Sequence, residues 1–505
     1  MSVAEEGVSI TEALAALAAA DPDRPAVTCG ERTVTRAELE ARTNRLARAY
    51  LDLGVSPDSF VTIGLPNGIE FIEATVAVWK AGATPQPVSD RLPTAERRAI
   101  IDLADPSLVV GIDTAETGGR PSIPAGFEPT PSYSDGPLEP RIAASVKAPT
   151  SGGSTGRPKL IVSGHRATSA NVTIHSIYTR MPPDGVHLAT GPMHHNGPFI
   201  YALAALFTGS QVVVMSRFDA EEALALVERH RVDWMYLVPT MMQRIWRLPE
   251  PARLGHDLSS LEGVFHVAAP CPQWLKQAWI DWLGPSTILE LYGGTEGQVA
   301  TFIDGTEWLA HRGSVGRPLS GEIQIRDPGG QPSARGETGT VWIRRQAGTQ
   351  KTYTYIGAEA REGGDGWETL GDVGWMDEDG YLYLTDRDTD MILVGGSNVY
   401  PAEIEAVLTE HPSVADACVV GLPDDDLGNV PHAILALSSP VDDDELDAYL
   451  RARLVSYKVP RTFERVDGPL RDDAGKVRRP ALRADRLPKT NAGGAGGQDP
   501  GPEPP

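Results

Sequence analysis

The strongest local constraint on the fold of this chain is a run of seven small residues, each glycine or hydroxyl-bearing. Such a run cannot supply a hydrophobic core, so it must be a loop between ordered elements. Its backbone N–H groups and hydroxyls can surround an anion, and a following lysine can neutralise the charge. It contains neither the Gly-Lys-Ser/Thr of a Walker A loop nor G-x-G-x-x-G. Alone, it fits an anion-binding loop or a flexible surface turn. The run and its flank are Thr150, Ser151, Gly152, Gly153, Ser154, Thr155, Gly156, Arg157, Pro158 and Lys159.

The sequence around this loop has the pattern of an α/β protein. Residues 60–65 predict a buried strand, 70–80 a helix that stops at Gly82, and 84–88 the next strand. A strand, a helix and a strand at this spacing form a βαβ unit, so the sheet should be largely parallel. Residues 112–140 are rich in Gly, Pro and Ser and predict an irregular surface excursion. Further strands, each ending in a short loop where ligands of α/β sheets bind, are predicted at 212–215, 234–238, 264–268 and 287–291.

The chain changes character after Arg387. A proline at position 401 can begin a short helix, and two strands and an amphipathic helix follow it. We therefore predict an α/β fold with a large N-terminal domain, residues 1–387, of mixed and parallel sheets flanked by helices. Residues 388–487 would form a small, mobile α+β lid, and residues 488–505, rich in Gly and Pro, a disordered tail.

Charge and cysteine usage narrow the class of partner. The chain has 505 residues and a formal net charge of -23, which argues against nonspecific binding to nucleic acid or an anionic membrane. Residues 458–489 nevertheless carry ten Lys or Arg against five Asp or Glu, which suits a polyanionic ligand. Cys29, Cys271 and Cys418 are isolated and fit a reducing cytoplasm. No apolar run approaches 18 residues, so we expect no membrane span; we expect a monomer or homodimer.

Two further segments decide between an anion-binding loop and a flexible surface turn. One is Tyr292-Gly293-Gly294-Thr295-Glu296-Gly297, and the other runs through residues 371–405, beginning Gly-Asp-Val-Gly-Trp. With these motifs in this order, the chain resembles the adenylate-forming superfamily of acyl-CoA synthetases, peptide-synthetase adenylation domains and luciferases. The resemblance extends from about residue 10 to about residue 487.

The resemblance implies an ATP site. The loop from Thr150 to Gly156 would hold the β- and γ-phosphates with Lys159 beside it, and Thr295 would contact the α-phosphate. Glu296 would help to hold Mg²⁺, which takes oxygen ligands. The remaining nucleotide contacts are expected from Tyr292, Gly293 and the Ala268-Ala269-Pro270 turn at the adenine, Asp372 at the ribose hydroxyls, and Arg387 at the ribose and phosphates.

The resemblance also implies an acyl site and a catalytic lysine. Lys476, in Gly475-Lys476-Val477, would neutralise the carboxylate and the α-phosphate during adenylation. His195 would lie beside the acyl carboxylate, with His194 as a competing assignment. The acyl pocket would be completed by Asn196, Phe199 and Gly294.

The lid motifs are expected to serve the second half-reaction. Gly395 and Gly396 would flank a channel for the pantetheine of CoA, because the absence of side chains permits close approach. Thr389 would be the hinge, although the family usually has Asp or Lys there. Leu160 also departs from the small residue usual after the loop lysine. We expect no catalytic role for Cys271.

The leading interpretation is an AMP-forming acyl-CoA synthetase that uses ATP, Mg²⁺ and CoA. One alternative is a stand-alone adenylating enzyme that loads a carrier protein, and another is a nucleotide-binding regulator without turnover. The stretch 193–201, with His-Asn-Gly-Pro-Phe, favours a bulky or polycyclic carboxylic acid.

Overall fold

A computed structural model describes residues 7–152, 158–472 and 475–487, and the predicted tail 488–505 lies outside them. The described chain divides into two compact units. The second unit comprises residues 390–470 and 477–487. The first unit comprises the described residues up to Thr389 together with Arg471, Asp472, Gly475 and Lys476.

The helices are numbered here in chain order. They are α1 Ile10–Ala20, α2 Arg36–Asp52, α3 Ile69–Lys80, α4 Thr94–Ala104, α5 Ser169–Tyr178, α6 Asn196–Phe207, α7 Ala220–His230, α8 Pro239–Trp246, α9 Glu250–Leu254, α10 Gln273–Leu283, α11 Gly305–Ala310, α12 Pro401–Glu410, α13 Asp443–Arg451 and α14 Arg479–Ala484. At the start of α2, Thr35 and Glu38 cap each other's backbone N–H groups at 3.2 and 2.8 Å. No helix of the described residues is long and apolar enough to cross a membrane.

The strands are numbered in the same way. They are β1 Pro25–Cys29, β2 Arg32–Thr35, β3 Phe60–Ile63, β4 Thr84–Pro87, β5 Leu108–Val110, β6 Ser122–Ile123, β7 Thr150–Gly152, β8 Pro158–Ser163, β9 Val186–Ala189, β10 Gln211–Val214, β11 Trp234–Leu237, β12 Gly263–His266, β13 Ile288–Gly293, β14 Ala300–Asp304, β15 Ser314–Pro318, β16 Glu322–Arg326, β17 Gly339–Arg344, β18 Tyr353–Ile356, β19 Arg361–Glu362, β20 Trp367–Thr369, β21 Asp372–Met376, β22 Leu382–Arg387, β23 Ile392–Val394, β24 Ser397–Val399, β25 Val414–Asp424, β26 Gly428–Leu437 and β27 Thr462–Arg465. Short 3₁₀ helices cover Thr114–Glu116 and Ser456–Lys458.

The first unit is built around one large mixed sheet. Its parallel part runs in the order β1, β10, β9, β11, β12, β13, and the sheet continues antiparallel through β14, β15 and β22. All four residues of β11 are buried, as expected for a parallel strand covered on both faces. The carboxyl ends of β12 and β13 lead directly into the predicted adenine turn and the loop with Thr295. Sheet topology therefore places two of the predicted motifs at the same edge.

Two smaller sheets complete the first unit. In one, β3 pairs in parallel with β4 and β5, and α3 forms the crossover between β3 and β4, which confirms the predicted βαβ unit. Helix α3 is buried on nearly every side because it packs within the main hydrophobic core. In the other, β8 pairs with β7 and β18, so the predicted phosphate loop joins two strands of a hairpin.

The second unit has its own core and a five-stranded sheet in the order β24, β23, β26, β25, with β27 beside β26. Helix α12 begins with Pro401 in its first turn, as predicted, and packs Ile404 and Leu408 into this core. Together the two units confirm the predicted α/β fold with a large mixed-sheet domain and a small α+β domain.

Candidate active site

The predicted phosphate loop begins and ends on a hairpin. Thr150, Ser151 and Gly152 belong to β7, and Ser151 lies opposite Lys159 of β8. Thr150 Oγ1 accepts a hydrogen bond of 2.9 Å from Gln86 Nε2, which ties the hairpin to β4. The phosphate contacts stay a prediction, because the remaining predicted loop residues lie outside the described residues: Gly153, Ser154, Thr155 and Gly156.

Lys159 and Glu296 face each other next to this hairpin. Lys159 Nζ lies 3.7 Å from Glu296 Oε1 and 3.8 Å from the centre of the Tyr355 ring. The Tyr355 hydroxyl donates to the same carboxylate oxygen at 2.5 Å. Burial lowers the pKa of Lys159, and the Glu296 carboxylate acts against that shift. The buried carboxylate is thus held by one cation and one hydroxyl.

The turn that carries Glu296 joins β13 to β14. Gly297 N–H donates to Gly294 O at 3.0 Å, and Gly297 has a φ of 64°, a left-handed conformation that glycine tolerates. A Cβ on Gly294 would lie 2.6 Å from Glu296 Oε2 and 2.5 Å from Leu370, so a side chain there would displace the carboxylate. Gly293 ends β13 opposite Ala300. Thr295, half-buried, occupies the middle of the turn.

A single buried carboxylate suits the way Mg²⁺ binds in nucleotide sites. No cluster of three or more His, Cys, Asp or Glu in the described residues could hold a metal ion by itself. Mg²⁺ commonly takes one or two carboxylates and completes its coordination with substrate phosphates and water. Glu296 provides one such oxygen donor beside the phosphate hairpin, so the residues present fit a magnesium ion delivered with ATP.

Asp372 is the centre of a second cluster. Its Oδ2 accepts a 2.6 Å hydrogen bond from the Tyr292 hydroxyl, and its Oδ1 lies 3.4 Å from Arg387 Nε. The antiparallel ladder of β21 and β22 sets Asp372 opposite Arg387. Burial raises the pKa of Tyr292, and the Asp372 carboxylate raises it further, so this phenol stays protonated and donates. The structure therefore brings together three residues predicted to contact the nucleoside.

The predicted adenine turn follows β12 directly. Ala268 has a φ of 78°, a left-handed conformation that costs a non-glycine residue energy and occurs disproportionately at functional sites. Ala268 and Pro270 are exposed and Ala269 is half-buried, so the turn is open to a ligand. Burial raises the pKa of the Cys271 thiol far above its usual range, which keeps it protonated and agrees with its having no nucleophilic role.

The predicted acyl residues lie at the beginning of α6. His195 is the N-cap of this helix but makes no capping hydrogen bond through its side chain, and Asn196 is the first helical residue. Burial lowers the pKa of His195 well below its usual value, and the nearby charges of His194 and Lys476 lower it further, so the ring is neutral at pH 7. Phe199 instead packs edge-on against Phe71 and Trp79 in the core. Its place in the acyl pocket stays a prediction.

Lys476 belongs to the first unit, and its backbone pairs with Asp472. The backbone N–H of Lys476 donates to Asp472 Oδ1, and Asp472 N–H donates to Lys476 O, both at 2.9 Å. Gly475 has a φ of 76°, and a Cβ there would lie 3.0 Å from Thr240 Oγ1. The Lys476 ammonium is within electrostatic range of Arg387 and Glu296. The predicted catalytic lysine thus shares a unit with both clusters predicted to bind the nucleotide.

The lid motifs have a local structural explanation. Gly395 and Gly396, with φ of 52° and 88°, form the two-residue turn between β23 and β24. Two consecutive left-handed residues are required by a type I′ hairpin turn, which explains both glycines without a ligand. Thr389 is the last residue of the first unit before Asp390 begins the second. The CoA channel and the hinge stay predictions.

Sequence reasoning missed two side chains of this region. Tyr355 reaches Glu296 only because β18 pairs with β8. Lys147 is buried and donates a hydrogen bond to Asn196 Oδ1. A signal for Lys147 did exist, since this lysine stands between Val146 and Ala148, two apolar residues, three residues before the predicted loop.

Comparison with known proteins agrees with this geometry. The model of the AMP-binding enzyme family matches residues 14–354, and that of the AMP-binding enzyme C-terminal domain matches residues 403–476. The chain is 32% identical to 3-[(3aS,4S,7aS)-7a-methyl-1,5-dioxo-octahydro-1H-inden-4-yl]propanoyl:CoA ligase of Mycobacterium tuberculosis, over 92% of this chain and 96% of that protein. It is also 32% identical to a feruloyl-CoA synthase of Amycolatopsis sp., over 92% and 96% of the two chains.

A solved structure is similar along nearly the whole chain. The o-succinylbenzoate CoA synthetase of Bacillus subtilis, in complex with its acyl-adenylate intermediate, superposes with a TM-score of 0.80 at 27% identity and covers 93% of this chain and 97% of that one. The family resemblance predicted from the three motifs is thereby confirmed. This chain belongs to the AMP-binding enzyme family, with both its large domain and its C-terminal domain represented.

Proposed function

We propose that this protein is an AMP-forming acyl-CoA synthetase whose substrate is a bulky, ring-containing carboxylic acid. The reaction class, ligation of an acid to CoA with ATP and Mg²⁺, is that of its relatives and confirms the leading prediction from the sequence. The observation that carries the assignment of residues is the presence in one unit of Lys159, Glu296, Asp372, Arg387 and Lys476, each in contact or electrostatic range of another.

In the first half-reaction a carboxylate oxygen of the acid attacks the α-phosphorus of ATP, and the bond to pyrophosphate breaks. The chain must bring two anions together and offset the charge on the leaving phosphates. Lys159, on β8 of the hairpin, would offset charge on the leaving phosphates, and Lys476 would offset charge at the α-phosphate and the carboxylate. Glu296 would help to hold Mg²⁺, which would supply further charge neutralisation when bound. Thr295, in the same turn as Glu296, would donate to the α-phosphate.

His195 would serve the acid rather than the nucleotide. A neutral imidazole can donate one hydrogen bond and accept another, and it adds no charge that would compete with the lysines. Because burial keeps the pKa of His195 well below its usual value, this neutral form persists across the physiological range. We assign to His195 the orientation of the carboxylate at the beginning of α6.

In the second half-reaction the CoA thiolate attacks the acyl carbonyl, and AMP leaves. We propose that the Gly395–Gly396 turn borders the path of the pantetheine arm and that the chain pivots at Thr389 between the two half-reactions. The domain limits 1–387 and 388–487 belong to the same proposal. The cytoplasmic location and the monomeric or dimeric state expected from the sequence stay predictions.

The class of acid is supported by the relatives and by the packing of an aromatic ring at the beginning of α6. The two relatives are named for a bicyclic propanoyl acid and for ferulate, both ring-containing. A Cβ on Gly197 would lie 2.5 Å from the Tyr236 hydroxyl, so glycine permits this ring to approach the first turn of α6. Tyr236 is itself buried, and we propose that its ring forms part of the inner wall of the acyl pocket, which suits a planar or polycyclic acyl group better than a small aliphatic acid.

The test is a panel of ring-containing carboxylic acids, scored by ATP–pyrophosphate exchange and then by formation of acyl-CoA. We expect exchange and thioester formation with at least one acid. Exchange without transfer to CoA would favour the carrier-protein alternative, and no exchange with any acid despite ATP binding would favour the regulator.

Lys476→Ala provides a sharper test of the mechanism. Losing a preorganised charge of this kind typically costs roughly 10²–10³ in rate, so adenylation should fall by that amount. Thioester formation from supplied acyl-AMP should be nearly intact, because no phosphate charge then develops toward pyrophosphate. Equal losses in both half-reactions would show that Lys476 has a structural role.

A further inference from the structure

Lys147 is a buried lysine of the first unit that the mechanism above does not use. Only 7% of the residue is exposed. Its backbone is fixed by the strand next to it, because Ser163 N–H donates to Lys147 O at 2.9 Å and Val146 N–H donates to His165 O at 2.8 Å. The side chain therefore leaves a rigid position three residues before the phosphate hairpin.

The partners of Lys147 differ from those of the other buried lysines. Lys80, 0% exposed, pairs with Glu40 at 2.6 Å, and Lys276, 1% exposed, pairs with Glu290. Lys147 donates to the neutral Asn196 Oδ1, and no carboxylate of the described residues forms an ion pair with it. Buried charges in proteins are normally paired, so an ammonium with only an amide partner has capacity for an anion.

The other charged and titratable groups near Lys147 leave its ammonium able to bind an anion. Glu296 acts on it only at longer range and is itself held by Lys159 and Tyr355. His165 and His175 have pKa values lowered first by burial and then by the Lys147 charge, so both are neutral at pH 7. Lys476 also acts on this region through His195, so Lys147 is a second cation here, and it has no carboxylate partner among the described residues.

The surroundings favour an anion as well. Asn196 is the first residue of α6, a helix of 12 residues, and His195 leaves the N-terminus uncapped by its side chain. The N-terminus of a helix carries partial positive charge and attracts carboxylates. The helix, the Lys147 ammonium and the Asn196 amide therefore converge on one place, next to the residue assigned to the acid.

We propose that Lys147, together with the side-chain amide of Asn196, binds the carboxylate of the acid before it is adenylated. This rests on the proposed function, since it assigns the anion to the acid substrate of the same site. The charge has a further consequence for the substrate class. An α-amino acid would bring its own ammonium beside that of Lys147, and like charges repel, so this site selects acids without an α-ammonium.

Lys147→Met tests the proposal in turnover, because methionine fills similar space without charge. A hydrogen bond to a charged group is worth enough that the KM for the acid should rise about ten- to a hundredfold. The KM for ATP and the rate of thioester formation from supplied acyl-AMP should not change, since the carboxylate no longer exists in acyl-AMP. Lys147→Arg should recover part of the affinity.

Lys80→Met is the matched control, because it removes a buried lysine that already has a carboxylate partner. It should lower the Tm while leaving the KM for the acid unchanged. A Lys147→Met enzyme whose only defect is the same loss of Tm would overturn the proposal and would identify Lys147 as a structural lysine.

A binding measurement separates this proposal from the proposed function. Calorimetry with 3-phenylpropanoate and with 3-phenylpropanamide should show that the wild-type protein prefers the acid by at least about tenfold, and that Lys147→Met abolishes this preference. Equal binding of acid and amide, no binding of either, or a preference that survives in the variant would overturn the proposal. If the preference depends on Lys147 but no acid is converted to acyl-CoA, the carboxylate site stands and the proposed reaction fails.

Discussion

Asp372 illustrates at the scale of one residue how the proposed nucleotide site is organised. Tyr292 donates to one oxygen of the carboxylate, and Arg387 lies near the other. Each carboxylate oxygen can accept two hydrogen bonds, so both retain capacity for a ribose hydroxyl. The existing contacts orient the carboxylate, which reduces the ordering that ribose binding must impose.

We therefore expect Asp372→Ala to raise the KM for ATP about tenfold with little effect on kcat, since the ribose contact is equal in ground and transition states. Asp377→Ala is a suitable control. Asp377 follows β21, and its partners are His311 and Tyr383 rather than Tyr292 and Arg387. The Asp377→Ala substitution should therefore affect stability and leave the KM for ATP unchanged. An ATP affinity that calorimetry finds unaltered in Asp372→Ala would contradict the ribose assignment.

Lys147 gives a prediction for pH. Burial lowers its pKa to about 8, so the free enzyme carries the ammonium below that pH and loses it above. In ATP–pyrophosphate exchange, kcat/KM for the acid should therefore fall as pH rises through about 8 in the wild type. The neighbouring His165 and His175 are already neutral there and cannot produce this fall. A Lys147→Met variant with the same pH profile as the wild type would contradict the assignment.

The residues that the sequence identified are those within contiguous motifs. Lys159 and Glu296 could be predicted because each lies in a contiguous motif that carries the resemblance to the adenylate-forming superfamily. Tyr355 could not, because its contact with Glu296 joins residues 59 positions apart and depends on the pairing of β18 with β8. The role of Lys147 depends in the same way on its contact with Asn196, which joins residues 49 positions apart.

At the scale of elements, apolar runs and helix-breaking residues in the sequence predicted where strands and helices occur. Which strands pair with one another could be learned only from the structure. The helix from 70 to 80 and the strands on either side were predicted within one to two residues of their observed bounds. The excursion 112–140 was predicted as irregular, but Ser122–Ile123 form β6 and pair in parallel with β5. A strand of two residues has no periodicity, so only its neighbour reveals it.

The β23–β24 turn allows its two proposed roles to be separated. Gly396 has a φ of 88° and open space where a Cβ would lie, and Gly428 in the same unit has a φ of 76° and equally open space. Alanine at either position should cost about 1–2 kcal/mol of stability through backbone strain alone. Only Gly396→Ala should also slow thioester formation from supplied acyl-AMP. If the two variants transfer acyl groups equally well, Gly396 serves the turn and not a CoA channel.

At the scale of the whole molecule, the division into two units falls between Thr389 and Asp390. The sequence predicted a change of domain near Arg387 from the family motif and from the change in pattern, and it proposed Thr389 as the pivot. Catalysis of two chemically different half-reactions gives a reason for such a pivot. The first reaction needs cations at the phosphates, and the second needs a path for the thiol.

Thr389→Pro tests whether the pivot is used. Proline fixes φ near -65° and removes the backbone N–H, and it also restricts the residue before it. Hinges are a few positions at the ends of elements that absorb torsional change, so this substitution should hold the chain in one arrangement. We expect pyrophosphate exchange to survive and thioester formation from supplied acyl-AMP to fall by orders of magnitude. Thr389→Ala, which keeps the N–H and the freedom of φ, should retain both activities and thereby separate the backbone effect from loss of the hydroxyl. A folded Thr389→Pro protein that forms thioester at the wild-type rate would rule out rotation at this residue, and the pivot would then have to lie at another position.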